Sequence, residues 1–254
     1  IPFRGRMMNR EAYVLYNRFN NMVQHLERTI KDLSERRISE KRAQMNALKA
    51  QFNPHFLYNT LNTIYWELVN AENEHAAKMV LTLSELMRYS ISPGSEQVTV
   101  REDLAQLKRF IALQQERYGD KLQVEIAAEE RLMEHKVMKL LLQPLVENAI
   151  THGLESVKRK PWLVHVEITE SDGHLKFVVE DNGIGMTKEQ MDKVLSMDQE
   201  EPATMHSGLG LANLQQRIAL IYGYRYGIRL SESELGGLRV QIHLPLEGGI
   251  SHAG

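Results

Sequence analysis

The stretch Glu180-Asp181-Asn182-Gly183-Ile184-Gly185-Met186 decides the interpretation of the C-terminal half of the chain. It ends the run Leu175–Asp181, whose apolar residues alternate with a period of two, as in a strand. Asp-Asn-Gly alone is an ordinary turn sequence. Two glycines spaced by one residue, however, let the backbone approach a planar ligand closely, and Asp181 can accept a hydrogen bond from an exocyclic amine. The stretch therefore predicts a strand that ends in a turn or in a ligand-binding loop.

The sequence around this stretch mixes strand and helix patterns. Four further runs alternate with a period of two: Leu122–Ala127, Leu163–Thr169, Tyr226–Ser231 and Leu238–Leu244. Ser171-Asp172-Gly173 is a hairpin signal, so at least part of the sheet is expected to be antiparallel. Helical periodicity occurs at about Val137–His152, Lys188–Leu195 and Leu209–Tyr222. We expect an α+β sandwich with its helices on one face of the sheet.

The N-terminal half has helical periodicity only. A coiled-coil-like stripe from Leu15 to Leu33 is followed by a charged connector, and a second stripe begins at Met45. Pro54 either kinks this second helix or begins a new one, and a kinked continuous helix is favoured. A polar break at 71–74 and a further helix that ends near Ser92 complete an αα-hairpin. Another helix is expected from about Arg101 to Tyr118.

Two other clusters in the C-terminal half carry polar groups or glycines. Leu142–Gly153 is an apolar helix pattern that places Glu147, Asn148 and His152 in its last turns. These are either helix-end polar residues capped by Gly153, or Asn148 offers a neutral oxygen to Mg²⁺. Ser207–Leu214 directly precedes a helix; its amide groups suit phosphate binding, although a glycine-rich loop can also simply begin a helix.

Composition excludes several classes of protein. The chain has 254 residues, no cysteine, and 31 Lys and Arg residues against 33 Asp and Glu residues. Without cysteine there is no disulfide framework, thiolate zinc site, iron–sulfur cluster or cysteine nucleophile. A net charge of −2 gives no basic field for binding nucleic acid. The glycines also fit neither a P-loop nor a dinucleotide-binding motif.

Taken in order, Asn148, Asp181-x-Gly183-x-Gly185 and Gly208-x-Gly210 resemble the N, G1 and G2 boxes of the GHKL ATP-binding fold. The resemblance implies Mg-ATP binding, with Asn148 as the magnesium ligand and Asp181 as the adenine-recognising residue. It makes Gly208 and Gly210 the hinge of an ATP lid over residues 187–207. The ATP-binding residues implied in this way are Asn148, His152, Asp181, Gly183, Gly185, Gly208, Leu209 and Gly210.

The helical half indicates which GHKL branch is involved. Residues 50–62, AQFNPHFLYNTLN, closely resemble the phosphoacceptor box of LytS/YesM-type sensor histidine kinases, and Leu86-Met87-Arg88-Tyr89-Ser90 fits the same family. The resemblance covers roughly residues 45–245 and implies that His55 accepts the γ-phosphoryl group of ATP. Asn59 lies four residues after His55, a position that related phosphatase motifs use. Phe56 stands where many histidine kinases have an acid, so the general base stays unassigned, with Glu147 as a candidate.

The expected organisation has four parts: a partial HAMP-like and signalling helix at 1–44, dimerisation and phosphotransfer helices at 45–118, a GHKL domain at 119–247, and a tail at 248–254. The family implies a homodimer built as a four-helix bundle, a cognate response regulator, and a membrane-anchored parent protein of which this is the cytoplasmic portion. The alternatives are a GHKL ATPase or serine kinase, and a non-catalytic signalling adaptor.

Overall fold

The computed structural model describes residues 54–91, 96–158, 160–196 and 209–246. The chain divides into two compact units, residues 1–59 and 60–254. The predictions of a coiled-coil-like helix, a charged connector, a HAMP-like segment and a C-terminal tail lie outside the described residues. The same holds for the chain before Pro54, and therefore for the predicted kink there. The four-part division of the chain stays a prediction.

The two helices and the short turn predicted for the αα-hairpin are confirmed. Helix α1 spans Pro54–Asn70 and helix α2 spans Glu74–Ile91. Between them Glu72 has a φ of 55°, and the Asn73 side chain accepts a hydrogen bond from the Ala76 N–H group at 3.1 Å. Asn73 therefore caps the second helix, because its oxygen satisfies one of the donors that a helix start leaves unpaired.

Helix α3 begins with a capping box. A short strand β1, Gln97–Thr99, leads directly into α3, Val100–Tyr118, within one residue of the predicted start. The Thr99 hydroxyl accepts from the Glu102 N–H group at 3.1 Å, and the Glu102 carboxylate accepts from the Thr99 N–H group at 2.7 Å. This reciprocal pair fixes where the helix starts.

The main sheet has five strands in the order β2-β4-β5-β7-β6. Their bounds are β2 Leu122–Ala128, β4 Trp162–Ser171, β5 His174–Asp181, β6 Ile228–Glu232 and β7 Leu238–Pro245. The pair β2–β4 is parallel and the other neighbours are antiparallel. Asp172 and Gly173, with φ values of 52° and 72°, form the turn between β4 and β5. The predicted strands and the predicted hairpin are confirmed.

The helices of the C-terminal half are α4 Gln143–Asn148, a π-helical segment Ala149–Leu154, α5 Lys188–Ser196 and α6 Leu209–Tyr222. Short 3₁₀ turns cover Gly119–Lys121 and Glu130–Leu132. Buried residues of the sheet share one hydrophobic core with buried residues of α3, α4 and α6, including Val166, Phe177, Leu107, Leu145 and Ile218. The alternation of buried and less buried residues along β4 and β7 gives the sheet one apolar face.

The prediction of one helix over Val137–His152 is wrong in two places. Lys136–Met138 is a strand, β3, that pairs antiparallel with β1 in a separate two-stranded sheet. Helix α4 begins only at Gln143, after Leu140 has adopted a φ of 59°. The helix also does not stop at Gly153. After Asn148 it changes to π-helical geometry, and it continues in this form to Leu154. Most apolar residues of this run are buried, in the strand and in the helix alike, so periodicity could not separate strand, loop and helix.

Within the described ranges, no helix combines the length and the apolar composition that crossing a bilayer requires.

Removal of the capping box should destabilise the C-terminal unit. We expect Thr99→Ala to lower the free energy of unfolding by about 1 kcal/mol, because the Glu102 N–H group loses its acceptor. Thr99→Ser keeps the hydroxyl and is the matched control. Urea denaturation followed by circular dichroism measures both, and equal midpoints for Thr99→Ala and the wild type would contradict this role.

Candidate nucleotide-binding site

Asp181 is the last residue of strand β5 and is only 2% exposed. Its Oδ1 atom accepts hydrogen bonds from the Gly183 N–H group at 2.7 Å and from the Leu238 N–H group at 3.3 Å. Its Oδ2 atom has no hydrogen-bond partner among the described residues. The backbone therefore holds one oxygen of the carboxylate and leaves the other available to a ligand that can donate a hydrogen bond.

Three glycines lie around this carboxylate. A Cβ atom added at Gly153 would meet Asp181 Oδ1 at 3.0 Å, and one added at Gly237 would overlap the same oxygen. A Cβ atom at Gly183 would overlap the carbonyl of Gly153. Gly183 is among the predicted site residues, whereas Gly237 is not. The pair Gly236-Gly237 just before the last strand was the available signal.

Burial raises the pKa of Asp181, and neighbouring Glu180 adds to the rise, whereas the hydrogen bonds from Gly183 and Leu238 oppose it. The carboxylate is thus held in a position that favours its neutral form more than water does. A ligand that donates a hydrogen bond to the remaining oxygen would stabilise the ionised form.

Asn182 has a structural role. Its Oδ1 atom accepts from the Leu163 N–H group at 2.9 Å, and its Nδ2 group donates to the Pro161 carbonyl at 3.0 Å. Both bonds tie the end of β5 to the beginning of β4. The middle residue of Asp-Asn-Gly therefore fixes the loop in place, while Asp181 keeps an oxygen for a ligand.

The loop after Asp181 is held against the π-helical segment. The Ile184 N–H group donates to the Gly153 carbonyl at 3.0 Å, while the Ile184 side chain is 63% exposed. Gly185 has a φ of 67°, a conformation that favours glycine. The two glycines are therefore needed for different reasons. Gly183 packs too closely against Gly153 to carry a side chain, and Gly185 has a backbone conformation that favours glycine.

Asn148 is the last residue of α4 and is 7% exposed. Its side chain has no hydrogen-bond partner among the described residues. The amide oxygen of this largely buried residue fits the neutral oxygen ligand that Mg²⁺ accepts together with phosphate oxygens. The preceding Glu147 is exposed, and His152 is half-buried in the π-helical segment. The described residues contain no cluster of three His, Cys, Asp or Glu side chains that could hold a metal by themselves.

The remaining predicted residues are only partly described. Gly208 lies outside the described residues, and Leu209 and Gly210 are the first two residues of α6. A Cβ atom added at Gly210 would meet nothing within 4 Å. His55 and Asn59 both lie on α1, where Asn59 is exposed, and the side chain of His55 is outside the described part of the chain.

A buried aspartate at a strand end, enclosed by glycines and accompanied by a buried asparagine on a short helix, is the arrangement of a GHKL-type nucleotide-binding domain. Residues 133–248 match the family described as "Histidine kinase-, DNA gyrase B-, and HSP90-like ATPase". Residues 43–122 match the family described as "Histidine kinase". The chain therefore belongs to the histidine kinases.

Two curated relatives are similar to almost the whole of this chain, and their names are consistent with the LytS/YesM type. Sensor histidine kinase YesM of Bacillus subtilis is 32% identical over 92% of this chain and 39% of the relative. Sensor protein kinase HptS of Staphylococcus aureus is 29% identical over 95% of this chain and 44% of the relative. The chain thus spans about two fifths of the length of these curated relatives.

The raised pKa of Asp181 predicts how stability depends on pH. The folded protein binds this proton more tightly than the unfolded chain, so the free energy of unfolding decreases as pH rises above the ordinary aspartate pKa of about 3.9. We expect Asp181→Asn to melt at a higher temperature than the wild type at pH 7 without nucleotide, and the difference to shrink towards pH 4. Asp120→Asn, at an exposed site, is the control for loss of one negative charge. A difference that does not vary with pH would contradict this.

Proposed function

We propose that the chain is the kinase portion of a sensor histidine kinase in a two-component system. It transfers the γ-phosphoryl group of Mg-ATP to His55 and then to an aspartate of a cognate response regulator. The single observation that carries the proposal is the Asp181 carboxylate, buried yet left with one oxygen free of protein hydrogen bonds among the described residues. The phosphoacceptor box on helix α1 supports a histidine as the acceptor.

Adenine recognition follows from the geometry around Asp181. The exocyclic amine of adenine donates a hydrogen bond to the second carboxylate oxygen, since the first already accepts from Gly183 and Leu238. Gly153 and Gly183 carry no side chain, so they pack closely against each other and against Asp181, and this packing holds the carboxylate in place. Guanine has a carbonyl at the corresponding position, so it would present an acceptor to an acceptor. The site therefore favours adenine over guanine nucleotides.

Asn148 is the residue that would hold Mg²⁺, through its side-chain oxygen. The ion, when bound, neutralises negative charge on the β- and γ-phosphate oxygens. Phosphate oxygens would complete its coordination, because the described residues offer no carboxylate cluster. Leu209 and Gly210, the first two residues of α6, would place N–H groups of a helix N-terminus near the phosphates, together with Gly208, which precedes them in the sequence.

Transfer to His55 is a substitution at phosphorus. A lone pair on a neutral ring nitrogen of His55 forms the N–P bond while the bond from the γ-phosphorus to the bridging oxygen breaks, and ADP leaves with that electron pair. The imidazole proton is lost from the other ring nitrogen. Glu147 is exposed beside Asn148 and is a candidate to accept it. Asn59, one helical turn after His55, would orient the acceptor or a water molecule.

His55 should be the only autophosphorylated residue. Incubation with γ-labelled ATP and Mg²⁺ is expected to give an acid-labile, alkali-stable label in the wild type and background label in His55→Ala. His75→Ala, at an exposed histidine of the same hairpin, is the matched control and should retain the label.

Label that persists in His55→Ala, or that resists acid, would overturn the assignment. Acid-stable label would instead support a GHKL serine kinase, and phosphate release without label would support a GHKL ATPase. Nucleotide binding with neither product would support an adaptor without catalytic activity.

The hairpin supports a homodimer. Several of its large apolar side chains are exposed in a single chain: Ile64, Trp66, Val69, Leu81 and Leu83. Two hairpins packed as a four-helix bundle would bury such surfaces against each other, which a single hairpin cannot do. The proposed occupant of this surface is a second copy of the chain.

A charge in this apolar surface should separate the dimer. We expect the wild type to have the mass of two chains at micromolar concentration and Ile64→Glu to shift towards the mass of one, because a buried unpaired carboxylate is costly. Asn70→Glu adds the same charge at an exposed polar position and should stay dimeric. Light scattering after gel filtration decides, and a monomeric wild type would contradict the proposal.

The greater length of the relatives supports a parent protein that extends beyond these 254 residues. We propose that this parent is a membrane-anchored receptor and that residues 1–254 are its cytoplasmic portion. Within this portion, residues 1–44 would contain a partial HAMP-like helix. Its partners would be its own second copy and the response regulator, and no nucleic acid.

A further inference from the structure

A loop of four residues, 139–142, connects strand β3 to helix α4. Leu140 within it has a φ of 59°, a left-handed conformation that leucine rarely adopts. Leu141 and Leu142 then lead into α4. The helix has no side-chain cap, because its N-cap residue is Leu142, which has no side-chain oxygen. Something outside the loop must therefore stabilise its conformation.

Asp103 of helix α3 supplies that stabilisation. Its Oδ1 atom accepts from the Leu140 N–H group at 2.8 Å and from the Leu141 N–H group at 3.3 Å. Its Oδ2 atom accepts from the Leu142 N–H group at 3.0 Å. The side chain is 3% exposed. One buried carboxylate thus binds three consecutive backbone donors of the loop, the last of which belongs to Leu142, the N-cap residue of α4.

Helix α6 holds the same segment from another side. Arg217 Nη2 donates to the Lys139 carbonyl at 2.7 Å, and the Tyr222 hydroxyl accepts from the Met138 N–H group at 2.8 Å. Burial raises the pKa of Asp103, while its three backbone donors and the positive charge of Arg217 oppose the rise. Arg217 and Asp103 therefore stabilise each other's charges across the loop.

Helix α4 starts where this loop ends and runs without a break into the π-helical segment, so that residues 143–154 form one helical stretch. Asn148 is the last residue of α4, less than two turns after the N-cap residue Leu142. No side chain of the N-cap residue fixes the start of this stretch. The hydrogen bonds that hold residues 138–142 therefore fix where the stretch begins, and in this way contribute to the position of the Asn148 side chain.

We propose that Asp103, assisted by Arg217 and Tyr222, is a positioning residue that places Asn148 for metal-dependent nucleotide binding. This inference rests on the proposed function, in which Asn148 is the magnesium ligand. Both oxygens of Asp103 already accept from backbone N–H groups, so in this role Asp103 acts through the position of Asn148 and not as a ligand. Its loss should weaken the contribution of Mg²⁺ to nucleotide affinity and leave recognition of adenine by Asp181 largely intact.

The experiment compares the dissociation constant of ADP with excess Mg²⁺ and with EDTA, measured by calorimetry on the whole chain. The ratio of the two constants is the gain in affinity from Mg²⁺. Asn148→Ala defines the result for a lost ligand. We expect Asp103→Asn to reduce the ratio roughly tenfold, as changes in outer-shell groups of metal sites do, with the constant in EDTA nearly unchanged.

Two further variants separate positioning from simple loss of stability. Leu175→Ala opens a cavity at the far end of β5 from Asp181 and should lower the melting temperature without changing the ratio. Tyr222→Phe removes only the acceptor for the Met138 N–H group, and should lower the ratio less than Asp103→Asn does. If Asp103→Asn does not fold, Tyr222→Phe provides the test: a smaller gain in ADP affinity from Mg²⁺ than in the wild type supports the positioning role, and an unchanged gain overturns it.

The outcomes are distinguishable. A wild-type ratio in Asp103→Asn, or an equal fall in Asp103→Asn and Leu175→Ala, overturns this inference alone, provided that Asn148→Ala abolishes the gain. If Asn148→Ala keeps the wild-type ratio, the metal assignment in the proposed function fails as well, and no positioning role remains.

Discussion

The hydrogen bonds from two backbone N–H groups to Asp181 Oδ1 are the interaction on which the candidate site depends. They join the loop after β5, through Gly183, to the beginning of β7, through Leu238. The same carboxylate lies against Gly153 of the π-helical segment. Three parts of the chain that are distant in sequence therefore meet at one oxygen atom, and any side chain at Gly237 would displace it.

The main sheet was predictable because its strands alternate cleanly and its hairpin has a strong turn signal. Asp172 and Gly173 adopt the positive φ values that a tight hairpin requires, and these two residue types tolerate them well. The motif residues Asp181, Gly183 and Gly185 were also predictable, because close backbone approach and positive φ both restrict the choice of amino acid. Local constraints of this kind are visible in a sequence.

Interactions between distant segments were not visible. Strand β3 lies in an apolar run, and only its pairing with β1 distinguishes it from the helix that follows. Asp103 is an acid in the first turn of a helix, which the helix dipole alone would explain. Its hydrogen bonds to residues 140–142 join segments almost 40 residues apart, and hydrophobic periodicity gives no information about such contacts. The side chain of Tyr89, on the hairpin, also reaches this loop, with Lys139 Nζ 4.4 Å from its ring centroid.

The two buried aspartates show how a structural carboxylate can be told from a ligand-binding one. Both have pKa values raised by burial, so the pKa does not separate them. Asp103 uses both oxygens to accept from backbone N–H groups. Asp181 uses only Oδ1 for such bonds among the described residues. Because a carboxylate oxygen accepts hydrogen bonds readily, the incomplete set at Asp181 is the one that a bound ligand would complete.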